Sequence, residues 1–249
     1  MKMKSNLKYS INTLSEKSII IQFQQIIDED LLNLILGLKL KLQDFFKEKH
    51  IEYEVVNTYA EVGVLFLNRP PSIQASMENI KTIVDDFLAD QSDNDYFSQS
   101  SKYRIPVCYS SDFAKDLDNV AQYTNLEKEE VIALHHQPVY RVYFIGFLPG
   151  FPYLGGMNEK ICVPRKKQAR KQIDKGDVGI AGCQTGIYPE QSPGGWQIIG
   201  NSPIDLINLR EKVDSVLKAG DLLEFYPISP EEHRAILHQE KSINLEVDS

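Results

Sequence analysis

The sequence has little cysteine, no long apolar run and no excess of positive charge. Its three cysteines, Cys108, Cys162 and Cys183, are odd in number and lack the paired short spacing of a zinc site. We therefore expect free thiols in a reducing compartment and no bound metal. No apolar run approaches the roughly 18 residues of a membrane span, and the start of the chain lacks the apolar stretch of a signal peptide. These absences predict a cytoplasmic protein that does not enter a membrane.

The charge balance also narrows the choice of partners. The net charge is −8 over 249 residues, which would repel the phosphate backbone of a nucleic acid. Hydrophobic residues make up 42% and charged residues 25%, as in an ordinary soluble globular protein. Small molecules and proteins are therefore the expected partners, and the length allows two domains.

The first half of the sequence alternates strand and helix patterns. The predicted elements are a strand at Ser18–Gln24, a helix from Asp28, two extended runs at Ile51–Val56 and Val62–Leu67, and a helix from Ile73 to Leu88. A closing strand at Lys102–Tyr109 would complete the βαββαβ order of a ferredoxin-like α+β domain. The polar stretch Ala89–Ser101 is the predicted linker.

The second half of the sequence has a different residue pattern. Two short helices are predicted at Asp112–Ala121 and Asn125–His136, the second capped by Thr124 or Asn125. After Pro138, short apolar runs alternate with glycine-rich turns, as in a barrel or a sandwich. A capping box at the serine of Ser229-Pro230-Glu231-Glu232 predicts a terminal helix. We predict domains at residues 1–95 and 96–240.

Two segments of the second half are candidates for a binding site. Tyr140–Gly156 packs aromatic residues among glycines and prolines and could form a rigid pocket wall, although most of these rings could equally be barrel core. Val178–Gly200 carries glycine-rich turns around Gln184, Thr185 and Tyr188 before the only tryptophan, Trp196, although turn formation alone explains many of its glycines. Neither segment matches a phosphate-binding loop or a dinucleotide fingerprint.

Three further features have a chemical and a structural interpretation each. His135 could relay a proton, but a lone histidine is more often structural. The basic cluster within Arg165–Lys171 could bind a carboxylate or a phosphate, or it could be a solvated loop. Cys183 is a poor candidate for a nucleophile because no positioned base can be identified.

Several motifs resemble one family in both sequence and order. They are GFLPGFPYLGG at 146–156, VPR at 163–165, GIAG and QTGIYP within 179–189, SPGGWQIIG at 192–200, and AGDLLEFYPI at 219–228. On these motifs the chain resembles the KipI / 5-oxoprolinase B-subunit family, also known as allophanate hydrolase subunit 1. The resemblance implies a ferredoxin-like domain followed by a mainly β, cyclophilin-like barrel.

The resemblance also implies a function that needs partners. Family members act with a homologous C subunit and a third protein, the A subunit, to open 5-oxo-L-proline to L-glutamate at the expense of ATP. ATP, with Mg²⁺, would be used by the assembled complex, and the isolated chain would bind no cofactor tightly and be inactive. One alternative is a regulatory protein that inhibits a sensor histidine kinase, and another is allophanate hydrolase chemistry.

Site residues are also implied by the resemblance. His135 would transfer protons, Arg165 would bind a carboxylate or phosphate, and Gln184 would make polar contacts. The substrate would be surrounded by Phe147, Phe151, Tyr153, Thr185, Tyr188, Gly194, Gly195 and Trp196. The chain departs from the family pattern at Asn201, where arginine is usual, and at Cys183, where a small residue is usual and an incidental thiol is expected.

Overall fold

The protein divides into two compact units, residues 1–99 and 100–249. The structure is a computed structural model and describes residues 7–90, 95–98, 100–208 and 214–238. Across these ranges, no helix combines the length and apolar character needed to cross a bilayer. The fold is mixed α/β.

The first unit is a four-stranded antiparallel sheet with two helices. Its elements are β1 (Ser10–Ser15), β2 (Ser18–Gln22), α1 (Glu29–Glu48), β3 (Tyr53–Asn57), β4 (Glu61–Phe66) and α2 (Ile73–Ala89). Alternate residues of the strands, such as Ile19 and Val64, join Leu38 of α1 and Val84 of α2 in one buried core. Asp28 caps α1 by accepting a hydrogen bond from the Leu31 N–H at 2.9 Å. The predicted helices and hairpin are confirmed.

The fourth strand of this sheet is a correction to the sequence prediction. The sheet order is β1-β2-β4-β3, so β1 occupies the edge that was predicted for the strand at 102–109. The segment Ser10–Ser15 gave no signal because it is polar and mostly exposed. The Lys102 strand belongs instead to the second unit, where its apolar residues Ile105 and Val107 are fully buried.

The second unit is dominated by a seven-stranded mixed sheet of order β12-β9-β10-β7-β6-β15-β5. The elements are β5 (Lys102–Val107), α3 (Leu117–Thr124), α4 (Lys128–His136), β6 (Val139–Ile145), β7 (Pro152–Gly155), β8 (Arg170–Ile173), β9 (Asp177–Ala181), β10 (Gln184–Ile187), β11 (Ser192–Gly194), β12 (Gln197–Asn201), β13 (Ile207–Asn208), β14 (Asp214–Ser215), β15 (Leu222–Pro227) and α5 (Pro230–His238). Strands β8 and β11 form one small sheet, and β13 and β14 form another.

The large sheet curls until its two edges meet. Cys108, just after β5, and Asn201, at the end of β12, form an antiparallel bridge with N···O distances of 2.8 and 3.0 Å. The core inside this curl receives Val142 from β6, Leu154 from β7 and Val178 from β9. Alternation of inward and outward side chains along strands produces such a core.

The boundaries and capping residues of the helices in this unit differ in part from the prediction. The first predicted helix begins later than expected, at Leu117, and ends at Thr124, after which Asn125 adopts the left-handed conformation. Helix α4 is capped by Glu127 in a capping box with Glu130, so the prediction of Thr124 or Asn125 as its cap is wrong. The terminal helix is confirmed, because Ser229 and Glu232 exchange hydrogen bonds of 3.2 and 2.7 Å.

The cysteines also differ from expectation. Cys162 and Cys183 form a disulfide with a Cα–Cα distance of 4.6 Å, whereas Cys108 is a buried free thiol. Val163 and Gly182 pair in an antiparallel bridge, which brings the neighbouring cysteines together. The expectation of three free thiols is therefore wrong for two of them, and Cys183 is not an incidental thiol.

Candidate functional site

Four aromatic side chains form a compact group, here called the aromatic cluster: Phe151, Tyr153, Tyr188 and Trp196. The Phe151 ring lies edge-on to Tyr188 at 5.0 Å and to Trp196 at 5.4 Å between centroids. The Trp196 backbone N–H donates a hydrogen bond to the Tyr188 hydroxyl oxygen. Edge-to-face packing of this kind fixes the ring orientations.

Phe147 lies on the open side of the aromatic cluster. Its side chain is 60% exposed, and its ring approaches Phe151 at 5.7 Å and Tyr188 at 6.3 Å. Its backbone has φ = 65°, a left-handed conformation that is uncommon for a bulky residue. Such strain is concentrated at functional sites, so Phe147 marks the accessible face of the cluster.

Arg165 supplies a positive charge next to this face. Its side chain is exposed. Burial, with a smaller contribution from Tyr153, raises the pKa of Tyr188 to about 12, and the Arg165 charge opposes that rise. Burial raises the pKa of Tyr153 as well, again opposed by Arg165. The guanidinium therefore lies within electrostatic range of both phenols.

His135 lies elsewhere, in the core of the second unit. Its ring is fully buried, stacks on Phe225 at 4.8 Å, and has both nitrogens in hydrogen bonds. Nδ1 is 2.8 Å from the Tyr109 hydroxyl, and Nε2 is 2.9 Å from Thr185 Oγ1. The Thr185 hydroxyl donates to the Gly179 carbonyl at 3.0 Å. Thr185 must then accept from Nε2–H, and Nδ1 accepts from Tyr109.

This environment keeps the imidazole neutral. Burial, and then the neighbouring His136, lower the pKa of His135 to about 3. Neither ring nitrogen is free to contact a bound molecule, so His135 positions Thr185 and the strand that carries it. Its predicted role in proton transfer could reach a substrate only through this hydrogen-bond chain.

Gly179 connects the histidine to the aromatic cluster. Its carbonyl accepts from Thr185, and a side chain at its Cα would lie 3.1 Å from Trp196 Cβ. Gln184 precedes Thr185 at the start of β10, where it pairs with Ala181 and is partly exposed. Gly179 of β9 and Thr185 of β10 thus link the histidine to the aromatic cluster.

Two cations of the basic cluster, Lys166 and Arg170, are bound within the protein. The Asp116 carboxylate, 1% exposed, accepts from Arg170 at 2.6 and 2.7 Å, from Lys166 at 2.7 Å and from the Ile198 N–H at 2.7 Å. Burial alone would raise the pKa of Asp116, but these hydrogen bonds outweigh it and lower the pKa. Lys166 and Arg170 therefore bind the Asp116 carboxylate of the protein itself. Arg165, the member of the cluster that was predicted as a site residue, has an exposed side chain that can bind a ligand.

A second buried network contains Asn201. Its amide donates to Asp177 at 2.9 Å, and its carbonyl oxygen is 2.8 Å from His233 Nε2. Lys115 completes the network through a 2.9 Å bond to Asp177. Neither Asp116 nor Asp177 was singled out from the sequence, because their partners are distant along the chain.

The glycines of the site differ in how much space they have. A side chain at Gly194 would lie 2.6 Å from the Tyr188 hydroxyl, so the cluster packs directly on Gly194. A side chain at Gly195 would have its nearest neighbours at 3.9 Å. Gly194 therefore supports the cluster, whereas Gly195 tolerates a methyl group.

Replacing Gly186 by alanine should lower the free energy of unfolding by about 1 to 3 kcal/mol. The new methyl group would lie 2.6 Å from the Pro152 carbonyl oxygen and 2.9 Å from the Phe151 ring. Urea unfolding measures the change, with Gly195→Ala as the matched control. Equal unfolding midpoints for the two variants would contradict the packing described here.

The predicted site residues thus fall into two groups. The aromatic cluster packs on Gly194 with Phe151, Tyr188 and Trp196 buried, and the exposed Phe147 and Arg165 lie beside it. His135 and Thr185 are fully buried and hydrogen-bonded to each other, and Gln184 precedes Thr185 in β10. Within the described ranges, no three His, Cys, Asp or Glu side chains are grouped so that they could hold a metal ion.

Comparison with known proteins identifies the family. Residues 9–217 match the family model described as carboxyltransferase domain, subdomain C and D. The chain is similar to the B subunit of 5-oxoprolinase from Bacillus subtilis (strain 168), with 35% identity over 233 residues, covering 92% of this chain and 97% of that protein.

Solved structures give a consistent result. The conserved uncharacterized protein PH0987 from Pyrococcus horikoshii is 34% identical, with a TM-score of 0.52, over 90% of this chain and 100% of that one. The K. lactis urea amidolyase has a TM-score of 0.78 over 100% of this chain and 16% of its own, and at 18% identity it shows the fold alone. With its aromatic cluster and the family motifs around it, the chain belongs to the 5-oxoprolinase B-subunit family.

Proposed function

We propose that this chain is one component of an ATP-dependent 5-oxoprolinase complex that opens 5-oxo-L-proline to L-glutamate. The observation that carries the proposal is the exposed Phe147 and Arg165 beside the aromatic cluster, in a chain 35% identical to a protein named as the B subunit of 5-oxoprolinase. The proposed partners are the homologous C subunit and a third protein, the A subunit, and the isolated chain is inactive.

Phe147 and Arg165 together suit a small cyclic amide that bears a carboxylate. The exposed face of Phe147 offers apolar contact for a five-membered ring, and the Arg165 guanidinium offers a charge-assisted hydrogen bond to the carboxylate. ATP with Mg²⁺, used by the assembled complex, would supply the phosphoryl group that turns the lactam oxygen into a leaving group. The sequence has no phosphate-binding loop, so a partner protein would contribute to that site.

His135 and Thr185 act indirectly in this proposal. The hydrogen bond between His135 and Thr185 fixes the Thr185 side chain of β10. Thr185 in turn donates to the carbonyl of Gly179, on which Trp196 of the aromatic cluster packs. We assign them as positioning residues, because a buried neutral imidazole with both nitrogens occupied cannot take a proton from a substrate directly. The two units are proposed to correspond to the ferredoxin-like and cyclophilin-like domains that the family resemblance implies.

Reconstitution with the cognate partners tests the proposal. Glutamate release from 5-oxoproline and ATP should require all three proteins, and full activity without this chain would refute the assignment. The exposed Phe147 also suits a protein-contact role, so the same preparation should be tested for inhibition of sensor histidine kinase autophosphorylation. Kinase inhibition without any contribution to lactam opening would favour the regulatory alternative.

Replacing Arg165 by alanine should lower kcat/KM of the reconstituted complex about 10- to 100-fold, because a charge-assisted hydrogen bond is lost. The side chain is exposed, so the unfolding midpoint should not change. Lys167→Ala, which removes another exposed cation two residues away, is the matched control. Normal turnover of the Arg165 variant would remove Arg165 from the site while leaving the family assignment intact.

A further inference from the structure

Cys162 and Cys183 join two segments that each lead into the candidate site. Cys162 follows a short 3-10 turn at Glu159–Ile161, and Cys183 lies in the turn between β9 and β10. They are 21 residues apart in sequence, and the Val163–Gly182 bridge pairs the backbones of their segments at this point. The N···O distances of that bridge are 2.6 and 3.2 Å.

Each cysteine lies within three residues of a predicted site residue. Arg165 comes three residues after Cys162, and its loop is held by a 2.8 Å hydrogen bond from Lys166 N–H to the Gly195 carbonyl. Gln184 and Thr185 come one and two residues after Cys183. The disulfide therefore links the loop that presents the guanidinium to the strand that His135 positions.

The two sulfur atoms differ in access. Cys183 is exposed, whereas Cys162 is partly buried against the core of the second unit. Exposed disulfides exchange with small thiols, and in a glutathione-buffered compartment such pairs are transient rather than permanent. Cys108, by contrast, is buried and has no cysteine partner among the described residues.

We infer that Cys162 and Cys183 form a reversible thiol–disulfide modification site that locks the Arg165 loop against the Gln184 turn. This inference goes beyond the proposed function and does not depend on it. The oxidant is a low-molecular-weight disulfide such as oxidised glutathione. The Cys183 thiolate attacks one of its sulfurs and expels one thiolate, forming a mixed disulfide. The Cys162 thiolate then attacks Cys183 Sγ and expels the second thiolate.

The exchange balances in atoms and electrons. The protein dithiol loses two electrons and two protons, and the small disulfide becomes two thiols. The reverse sequence, begun by attack of a small thiolate on the exposed Cys183 sulfur, reopens the link. The redox state of the small-thiol pool would therefore set how firmly the Arg165 loop is held.

The test uses the full chain equilibrated with oxidised or reduced glutathione, followed by alkylation and mass spectrometry. In oxidised glutathione, the peptides containing Cys162 and Cys183 should be joined with a loss of two hydrogens, and reduced glutathione should separate them. The oxidised form should have a melting temperature roughly 5 to 10 °C higher, as expected for a loop of this size. Hydrogen exchange at residues 163–166 and 182–185 should slow about tenfold on oxidation.

Two variants control this experiment. Cys183→Ser changes an exposed side chain, so it should fold and show the same exchange in both glutathione buffers. Cys108→Ala should keep the full redox response. The inference is wrong if no link forms in oxidised glutathione, if reduced glutathione cannot open it, or if Cys183→Ser keeps the response.

Discussion

Replacing Asp116 by asparagine should lower the free energy of unfolding by about 3 kcal/mol, as is typical when one partner of a buried ion pair is removed. Asparagine has nearly the same size, so no cavity forms. The change removes the negative charge that holds the Lys166 ammonium and the Arg170 guanidinium at 2.6 to 2.7 Å. Two like charges then face each other around a neutral amide, and each is only about a quarter exposed.

Urea unfolding followed by circular dichroism measures this loss, and Asp118→Asn is the matched control. Asp118 is 79% exposed and pairs with Lys128 at the surface, so its loss should cost less than about 1 kcal/mol. Because the pKa of folded Asp116 is lowered, its stabilisation is present at neutral pH and is lost as pH falls through the folded pKa. A midpoint for Asp116→Asn that matches the Asp118 variant would show that the buried carboxylate does not hold the loop.

Acidification should destabilise the protein through His135 well before carboxylates are protonated. The folded pKa is about 3 and the unfolded value is 6.5, so between these values the unfolded chain binds the proton that the folded state excludes. The contribution of the neutral His135 ring to the free energy of unfolding is therefore present above pH 6.5 and is lost as the pH falls toward 3. At 1.36 kcal/mol per unit, roughly 2 to 3 kcal/mol should be lost between pH 6.5 and 4.5.

Two measurements check this expectation. The free energy of unfolding at several pH values gives the slope, which His136→Gln should largely retain and His135→Gln should reduce. Because His135→Gln removes a buried stacked ring and could unfold, the imidazole should also be followed by NMR in the unaltered protein. An imidazole signal of His135 that titrates near pH 6.5 would contradict the buried, neutral ring.

Local patterns in the sequence were enough to predict every element of the first unit except β1. The helices α1 and α2 carry apolar residues at helical spacing, and their caps Asp28 and Ser72 are short polar residues. The polar strand β1 was missed because it lacks alternating hydrophobicity. The strand β5 was assigned to the wrong sheet for a different reason. Its pairing with β15 joins residues about 120 positions apart and leaves no local signature in the sequence.

The sequence indicated which residues belong to the candidate site but not how they are arranged in space. Aromatic residues beside glycine and proline indicated the cluster, and both the residue pattern and the family resemblance pointed to His135 and Thr185. Burial of the histidine could not be anticipated, because its partners Tyr109 and Thr185 lie 26 and 50 residues away. The same holds for Asp116, whose partners lie 50 to 82 residues along the chain.

The pairing of β5 with β15 has a consequence for biosynthesis. On the ribosome, residues of the first unit can find all their sheet partners early, because β1 to β4 are close neighbours in the chain. Strand β5 emerges soon afterwards, yet its parallel neighbour Leu222–Pro227 is translated more than a hundred codons later. Until then, the apolar face of β5 has no sheet to join, so the nascent chain carries an unpaired strand that chaperones would have to shield.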